Sequence, residues 1–463
     1  MDQTRYALVG CGHRAKTYLD AIAGQYSTSA CVVGVCDSNP GRAEMARARV
    51  AARFPDAACY HSDRFDRMIS ERSPDCLLIM VPDLLHEQYI CRALESGCDV
   101  IVEKPMTIDG ESCVRIADTE RRTGKHVTVT MNYRFSPVRT LLKEVLMSGI
   151  LGAIKSVQFE WRLDTHHGAD YYRRWHRRVE NAGGLFVHKA SHHFDLVNWW
   201  LGALPTRVYA KGTRQFYRPE TADALGLTRR GERCTGCPEL ARCNFRLDLG
   251  RKDYLRSVYS DHEHYDGYFR DRCVFSPDID IPDTMNALID YEGGTVLNYS
   301  LLAYAPVEGY RIEFEGTRGR IIHTNVERPW VNPDGSLPPE VDERNDIVVQ
   351  PLFRKPLRLK VPTGKGLHSG GDNIMLERLF AESDNAADPY RQFADSRAGA
   401  YSIAVGVAAN RSIATGTPVG IEEVLGTFAR PDYPVGATDD GAPIDAARYS
   451  FLAGATAIDE GIA

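Results

Sequence analysis

Four short runs early in the chain, Tyr6–Val9, Val32–Cys36, Leu77–Val81 and Val100–Val102, are apolar almost throughout and lack the alternation of a half-exposed strand. Such runs suit strands covered on both faces, as in a parallel sheet flanked by helices. Between them the apolar positions follow helical spacing, as at Tyr18 and Ile22, and Leu85 to Ser96 reads as a helix stopped by Gly97. Alternating strand and helix predicts an α/β fold, a doubly wound parallel sheet over residues 1–131. The pattern changes at Ile154–Arg162, where apolar and polar positions alternate. Thr206–Lys211, Thr284–Tyr291, Thr295–Leu302, Tyr310–Glu315 and Arg320–Thr324 continue it. They predict an α+β domain over 132–430 with a large, mostly antiparallel open sheet, and Arg397–Thr415 as a late helix. A charged, Tyr-rich insert interrupts that sheet at 213–283. Residues 431–463, rich in Pro, Gly, Asp and Ala, read as an extended arm or disordered tail.

At 463 residues the chain exceeds one core. A net charge of −6 argues against nucleic acid or an anionic membrane as partner. No apolar run approaches the roughly 20 residues that span a bilayer. The chain enters a strand directly after Met1, so a cytoplasmic location with reduced thiols is expected. Eight of the twelve cysteines lie singly between Cys11 and Cys113, as small buried hydrophobes. The other four, Cys234, Cys237, Cys243 and Cys273, share the insert. A C-x-x-C knuckle with a third and a distant fourth cysteine has the ligand count for a structural zinc. His262 and His264 are alternative ligands; free thiols, a disulfide and an iron–sulfur cluster stay open.

Candidate chemistry begins at Gly10-Cys11-Gly12-His13-Arg14-Ala15, between the first strand and the first helix. In this G-x-G-x-x-A turn Gly10 allows the tight bend, Gly12 the approach of a pyrophosphate, and Ala15 the packing of helix on strand. The pyrophosphate would meet the positive end of the helix. Asp37 ends the second strand, where a carboxylate accepts ribose hydroxyls and repels a 2′-phosphate; NAD is therefore favoured over NADP, with Arg42 a weak counter-argument.

The densest group of titratable residues is Val187-His188-Lys189-Ala190-Ser191-His192-His193-Phe194-Asp195, after Gly183-Gly184. As one helix over 188–199, it puts His188, His192 and Asp195 on one face, with Lys189 and His193 in a neighbouring row. Either that face lines a pocket or it is a solvated helix start. Tyr171-Tyr172-Arg173-Arg174-Trp175-His176 has the aromatic faces and donors of a saccharide-binding loop, or else is an exposed basic connector. His368-Ser369-Gly370-Gly371-Asp372 is a flexed turn, either a cover for the site or an ordinary loop.

Glu103-Lys104-Pro105, directly after a buried strand, completes a resemblance to the Gfo/Idh/MocA family of glucose–fructose oxidoreductases, inositol dehydrogenases and relatives. Val81-Pro82-Asp83-Leu84-Leu85-His86 resembles the family's nicotinamide-side loop, so Pro82, His86, Glu103 and Lys104 join His13 and Arg14 as expected cofactor neighbours. Asn132-Tyr133-Arg134-Phe135-Ser136-Pro137 resembles the entry to the second domain, and Ile312–Gly319 its late hairpin. The catalytic helix of the family carries Asp-x-Gly-x-His-x-x-Asp; His192 and Asp195 match its last two members, while His188 and Ala190 replace the first aspartate and the glycine. The resemblance implies Lys104 and His192 as base and partner, with His188 beside them. Tyr133, Arg134, Arg174, Trp175, His176, Lys189 and Asp195 are the expected substrate contacts. It further implies a homodimer or homotetramer and a dehydrogenase acting on a sugar, glycoside or cyclitol. Two other readings stay open: a glycosidase-type enzyme that retains NAD and oxidises a sugar carbon transiently, and a non-catalytic nucleotide-sensing regulator.

Overall fold

A computed structural model describes residues 3–338, 343–362, 364, 367–381, 388–436 and 449–458, with the backbone alone at 367 and 368. Strands β1 (Thr4–Val9), β2 (Ala30–Asp37), β3 (Ala58–His61), β4 (Cys76–Ile79), β5 (Asp99–Val102) and β6 (Val127–Val129) form the first sheet. Its order is β6-β5-β4-β1-β2-β3, all parallel, and the late segment Ala394–Asp395 adds an antiparallel edge to β6. The apolar runs are buried on both faces as their composition requires; β4 has no exposed residue. Strand order reverses between β1 and β4, which opens a crevice at their C-terminal ends. Gly10 and the Pro82–His86 loop both leave the sheet there.

The second sheet contains β7 (Ile154–Asp164), β8 (Pro205–Thr213), β9 (Thr284–Tyr291), β10 (Val296–Ala305), β11 (Glu308–Gly316), β12 (Gly319–Arg328) and β13 (Arg344–Pro351). Their order is β8-β9-β10-β7-β11-β12-β13; the two-residue strands Val419–Gly420, Leu357–Arg358 and Thr456–Ala457 extend its ends. Among the described residues only the β7–β10 pair of this sheet is parallel. The helices Ser191–Leu201 and Ser396–Thr415 cover one face, and Trp161, Trp199 and Trp200 are fully buried between. Among the described residues no helix is long and apolar enough to cross a membrane.

The insert has an aromatic core of its own. Phe216, Tyr217, Phe245 and Phe275 pack on one another and on Tyr172 and Tyr304, with Phe216 stacked on Tyr304 at 4.5 Å. Asp283 closes its neck by accepting the amides of Gln215, Phe216 and Tyr217. In the C-terminal arm, Tyr433, Tyr449 and Leu452 are buried and the Pro434 carbonyl accepts from Lys143; residues 437–448 and 459–463 lie outside the described residues.

Candidate functional site

The dinucleotide cradle forms where β1 ends. Gly10 has φ +91, and a Cβ there would meet the Met80 backbone at 2.5 Å, so only glycine fits. Asp37 accepts the Cys11 amide at 2.6 Å and the Asn39 amide at 2.7 Å, fixing its carboxylate beside the turn. Ala15 starts the helix Ala15–Ala23 and is buried against the sheet. These residues fit the pyrophosphate and ribose of a dinucleotide. The Arg42 guanidinium is shared by Asp37 and Asp266.

Three expected cofactor neighbours have other partners. Arg14 donates to Glu103 at 2.6 Å and to Asp372 at 2.9 Å, and Tyr18 also donates to Glu103, so the two residues lock the helix start to the end of β5. Both ring nitrogens of His86 face carbonyls, Pro105 at 2.8 Å and Val81 at 2.9 Å, which ties the Pro82 loop to the lysine turn. His13 reaches the cradle through its backbone N–H, which donates to the Tyr259 hydroxyl at 3.0 Å. Asp372, placed by sequence in a flexed turn, also accepts from Asn132 and so acts as an anchor; the side chain of His368 lies outside the described residues.

Lys104 follows β5 at the crevice and donates to the His188 carbonyl at 3.3 Å. Burial, reinforced by the neighbouring Lys189 cation, brings its ammonium down to about 8. His188 Nδ1 lies 2.5 Å from Asp83 Oδ2. Burial pushes the Asp83 carboxyl up and the His188 imidazole well down, and Lys104 opposes the first and adds to the second. The contact fixes the ring and directs Nε2 of His188 away from Asp83. Asp83 thus brings a carboxyl group to the ring of His188. It has no local signal in the sequence, because its partner is 105 positions away. His176 meets His188 edge-on at 4.1 Å, Trp175 stacks on His176 at 3.6 Å, and Tyr171 lies edge-on to both histidines. Burial, with Arg174 and Lys104 nearby, keeps His176 neutral. Arg174 is only partly covered and faces Asp170, whose carboxyl Arg270 and Arg174 hold ionised against the effect of burial. Asp170 and the insert's Arg270 were not legible in the sequence.

The predicted single helix is two: Gly184–His188 and Ser191–Leu201, broken at Lys189–Ala190. His188 and His192 keep the last exposure, 8 % and 4 %. Behind them His192 stacks on Tyr133 at 4.1 Å and 7°, and the Arg139 guanidinium lies over the Tyr133 ring at 4.1 Å. Lys189 donates to the Tyr133 hydroxyl at 3.0 Å, and its ammonium is lowered by burial. Tyr133 and Lys189 therefore support His192 through the ring stack and the hydroxyl. The second-row His193 donates or accepts at Tyr299 and stacks on Trp161. Asp195 and Arg134, expected at the substrate, close a two-pronged ion pair of 2.6 and 2.8 Å, each 1 % exposed. With both groups paired and dry, neither is available to a ligand.

The zinc expectation finds no support in the geometry. Cys234, Cys237, Cys243 and Cys273 line one small cavity, but among the described residues no three His, Cys, Asp or Glu side chains are placed to hold a metal. The thiols instead sit among Leu227, Phe245 and Phe275 and accept weak bonds, Leu247 N–H to Cys234 and Gly231 N–H to Cys237. The His262 ring lies against Gly41 of the first domain, and the His264 ring lies 4.0 Å from that of Tyr265.

Residues 4–131 match the oxidoreductase family NAD-binding Rossmann fold, and residues 143–421 match the oxidoreductase family C-terminal alpha/beta domain, both of the Gfo/Idh/MocA group. The chain is 35% identical over 434 residues to YteT of Bacillus subtilis (strain 168), named an oxidoreductase, covering 90% of this chain and 98% of that one. It is 28% identical over 208 residues to an inositol 2-dehydrogenase of Corynebacterium glutamicum (strain R), 45% of this chain and 57% of that one. The WlbA dehydrogenase from Bordetella pertussis, solved with NADH and UDP-GlcNAcA, shares the fold at TM-score 0.59 and 20% identity, over 90% of this chain and 99% of that one. The chain belongs to the Gfo/Idh/MocA oxidoreductase family.

Proposed function

We propose that this Gfo/Idh/MocA oxidoreductase transfers hydride between NAD and a secondary hydroxyl or ketone of a sugar, glycoside or cyclitol. The observation that carries this reading is the meeting of Lys104, the Asp83–His188 pair, His176 and His192 at the crevice beside the dinucleotide cradle. The names of relatives, inositol 2-dehydrogenase among them, agree with the substrate class. NAD is favoured because the carboxylate of Asp37 would repel a 2′-phosphate, and the nearby cation, Arg42, is bound by Asp37 and Asp266.

Bound in the cradle, NAD supplies the two-electron hydride chemistry. The chain's own groups manage the hydroxyl proton. A lysine near 8 is mostly protonated at neutral pH yet loses its proton at little cost, so it donates to a forming alkoxide or, once neutral, accepts from a hydroxyl. His192, held by the Tyr133 stack, and His188, held by Asp83, present imidazoles in fixed orientation to the same oxygen or its neighbour. Trp175 and Arg174 at the rim suit a sugar ring, one face apolar and its hydroxyls bonded by the guanidinium.

A screen of sugars, glycosides and inositols for NADH formation at 340 nm tests the reading; activity confined to non-carbohydrate alcohols would overturn the substrate class. The retained-NAD route, with transient oxidation of a sugar carbon, stands as a second reading because the insert crosses the cradle. Product release with no net NADH would favour it.

A further inference from the structure

We propose that the insert limb Leu249–Tyr268 is part of the dinucleotide site: a clasp that keeps NAD bound between turnovers. The inference rests on the cradle's being a dinucleotide site, as proposed above. The limb crosses the mouth of the cradle from the phosphate turn to the ribose acid. Tyr259 takes the His13 N–H at 3.0 Å. That amide lies at the start of the glycine-turn helix, where a pyrophosphate is received. A hydroxyl that accepts from an amide still has its own proton to give, so Tyr259 is placed to pass a hydrogen bond on to a phosphate oxygen. Next along the limb the His262 carbonyl accepts from the Asn39 side chain at 2.9 Å, and its ring leaves no room for any side chain at position 41. Asp266 binds Arg42, which also touches the ribose acid Asp37. Tyr254 covers the outside, against the His13 ring and the Arg49 guanidinium.

The limb is anchored in the middle of this crossing and just beyond its end. Glu263 is held by Arg233 of the insert body at 2.8 Å, and Arg270 beyond the limb is held by Asp170 at 2.7 Å. A dinucleotide behind this segment leaves only when several ion pairs and hydrogen bonds open together, so its release is slow. Such a cofactor suits redox-neutral turnover, in which the hydride removed from one carbon is returned to a carbonyl before the cofactor exchanges.

The test is retention rather than activity. Full-length protein is loaded with radiolabelled NAD, freed of excess, and chased with unlabelled NAD while bound label is counted. The wild type is expected to keep NAD through overnight dialysis. Asp266→Ala, Tyr254→Ala and Tyr259→Phe are each expected to speed release by about tenfold or more, as changes that act on dissociation do. Circular dichroism confirms that each variant is folded. Should all three fail to fold, limited trypsin digestion of the wild type decides: bound NAD is expected to slow cleavage at Lys252 and Arg256. Rapid exchange by the wild type, variants that release at its rate, or cleavage indifferent to NAD would overturn the clasp while leaving the dinucleotide site intact. A wild type that takes up no NAD would overturn the site itself and the clasp with it.

Discussion

Lys104 carries the clearest pH consequence. Burial and Lys189 hold its ammonium at about 8, so the neutral, proton-accepting amine grows as pH rises through that value. Alcohol oxidation is therefore expected to increase across this window and ketone reduction to decline, as measured by kcat/KM against pH. Lys104→Met should remove the inflection and lower turnover by roughly 10²–10⁴-fold, with NAD affinity little changed. Lys104 was legible from sequence, since a lysine after a buried strand and before proline sits at the crevice of such a sheet. Asp83 was not, because only folding carries it to His188.

The helix pair Gly184–His188 and Ser191–Leu201 shows how far periodicity reaches. Spacing put His188, His192 and Asp195 on one side, but it does not say where along that side the cleft ends. Arg134 fills the far end and takes Asp195 out of reach of a ligand. Asp195→Ala leaves a buried guanidinium without its partner, a loss of about 3–5 kcal/mol. It is expected to appear as a lowered Tm, with KM of the surviving folded protein near normal. The insert yields a contrasting pair of outcomes. Phe275 is buried in the aromatic cluster, and Phe275→Ala should cost about 3–5 kcal/mol and expose 213–283 to proteases. Cys237→Ser should leave the proteolysis pattern close to that of the wild type. The reverse ranking would mean that the four thiols organise the insert.

Cofactor choice depends on the molecule as a whole, since Arg42 of the first domain is neutralised partly by Asp266 of the insert. Asp37→Ala is expected to weaken NAD and to relax discrimination against NADP, seen by titrating both cofactors. A wild type that prefers NADP would contradict the ribose assignment. Joining the two sheets also decides which basic residues stay available: Arg174 remains partly open at the rim, whereas Arg134 and Arg139 are buried.

Local chemistry accounts for what could be seen before folding. Strand runs, helix spacing and the glycine turn depend on neighbours within a few positions, so the parallel sheet, the nucleotide cradle and the Lys104 turn were all visible in the chain. Pairings across long separations were not. Asp83 with His188, Arg134 with Asp195, His13 with Tyr259 and Asp170 with Arg270 join residues 61 to 246 positions apart. No periodicity encodes such pairs; they follow from which charges remain near one another once apolar surface is buried. For the same reason the aromatic packing of Phe216, Tyr217, Phe245 and Phe275 in the insert is invisible as a pattern in the sequence.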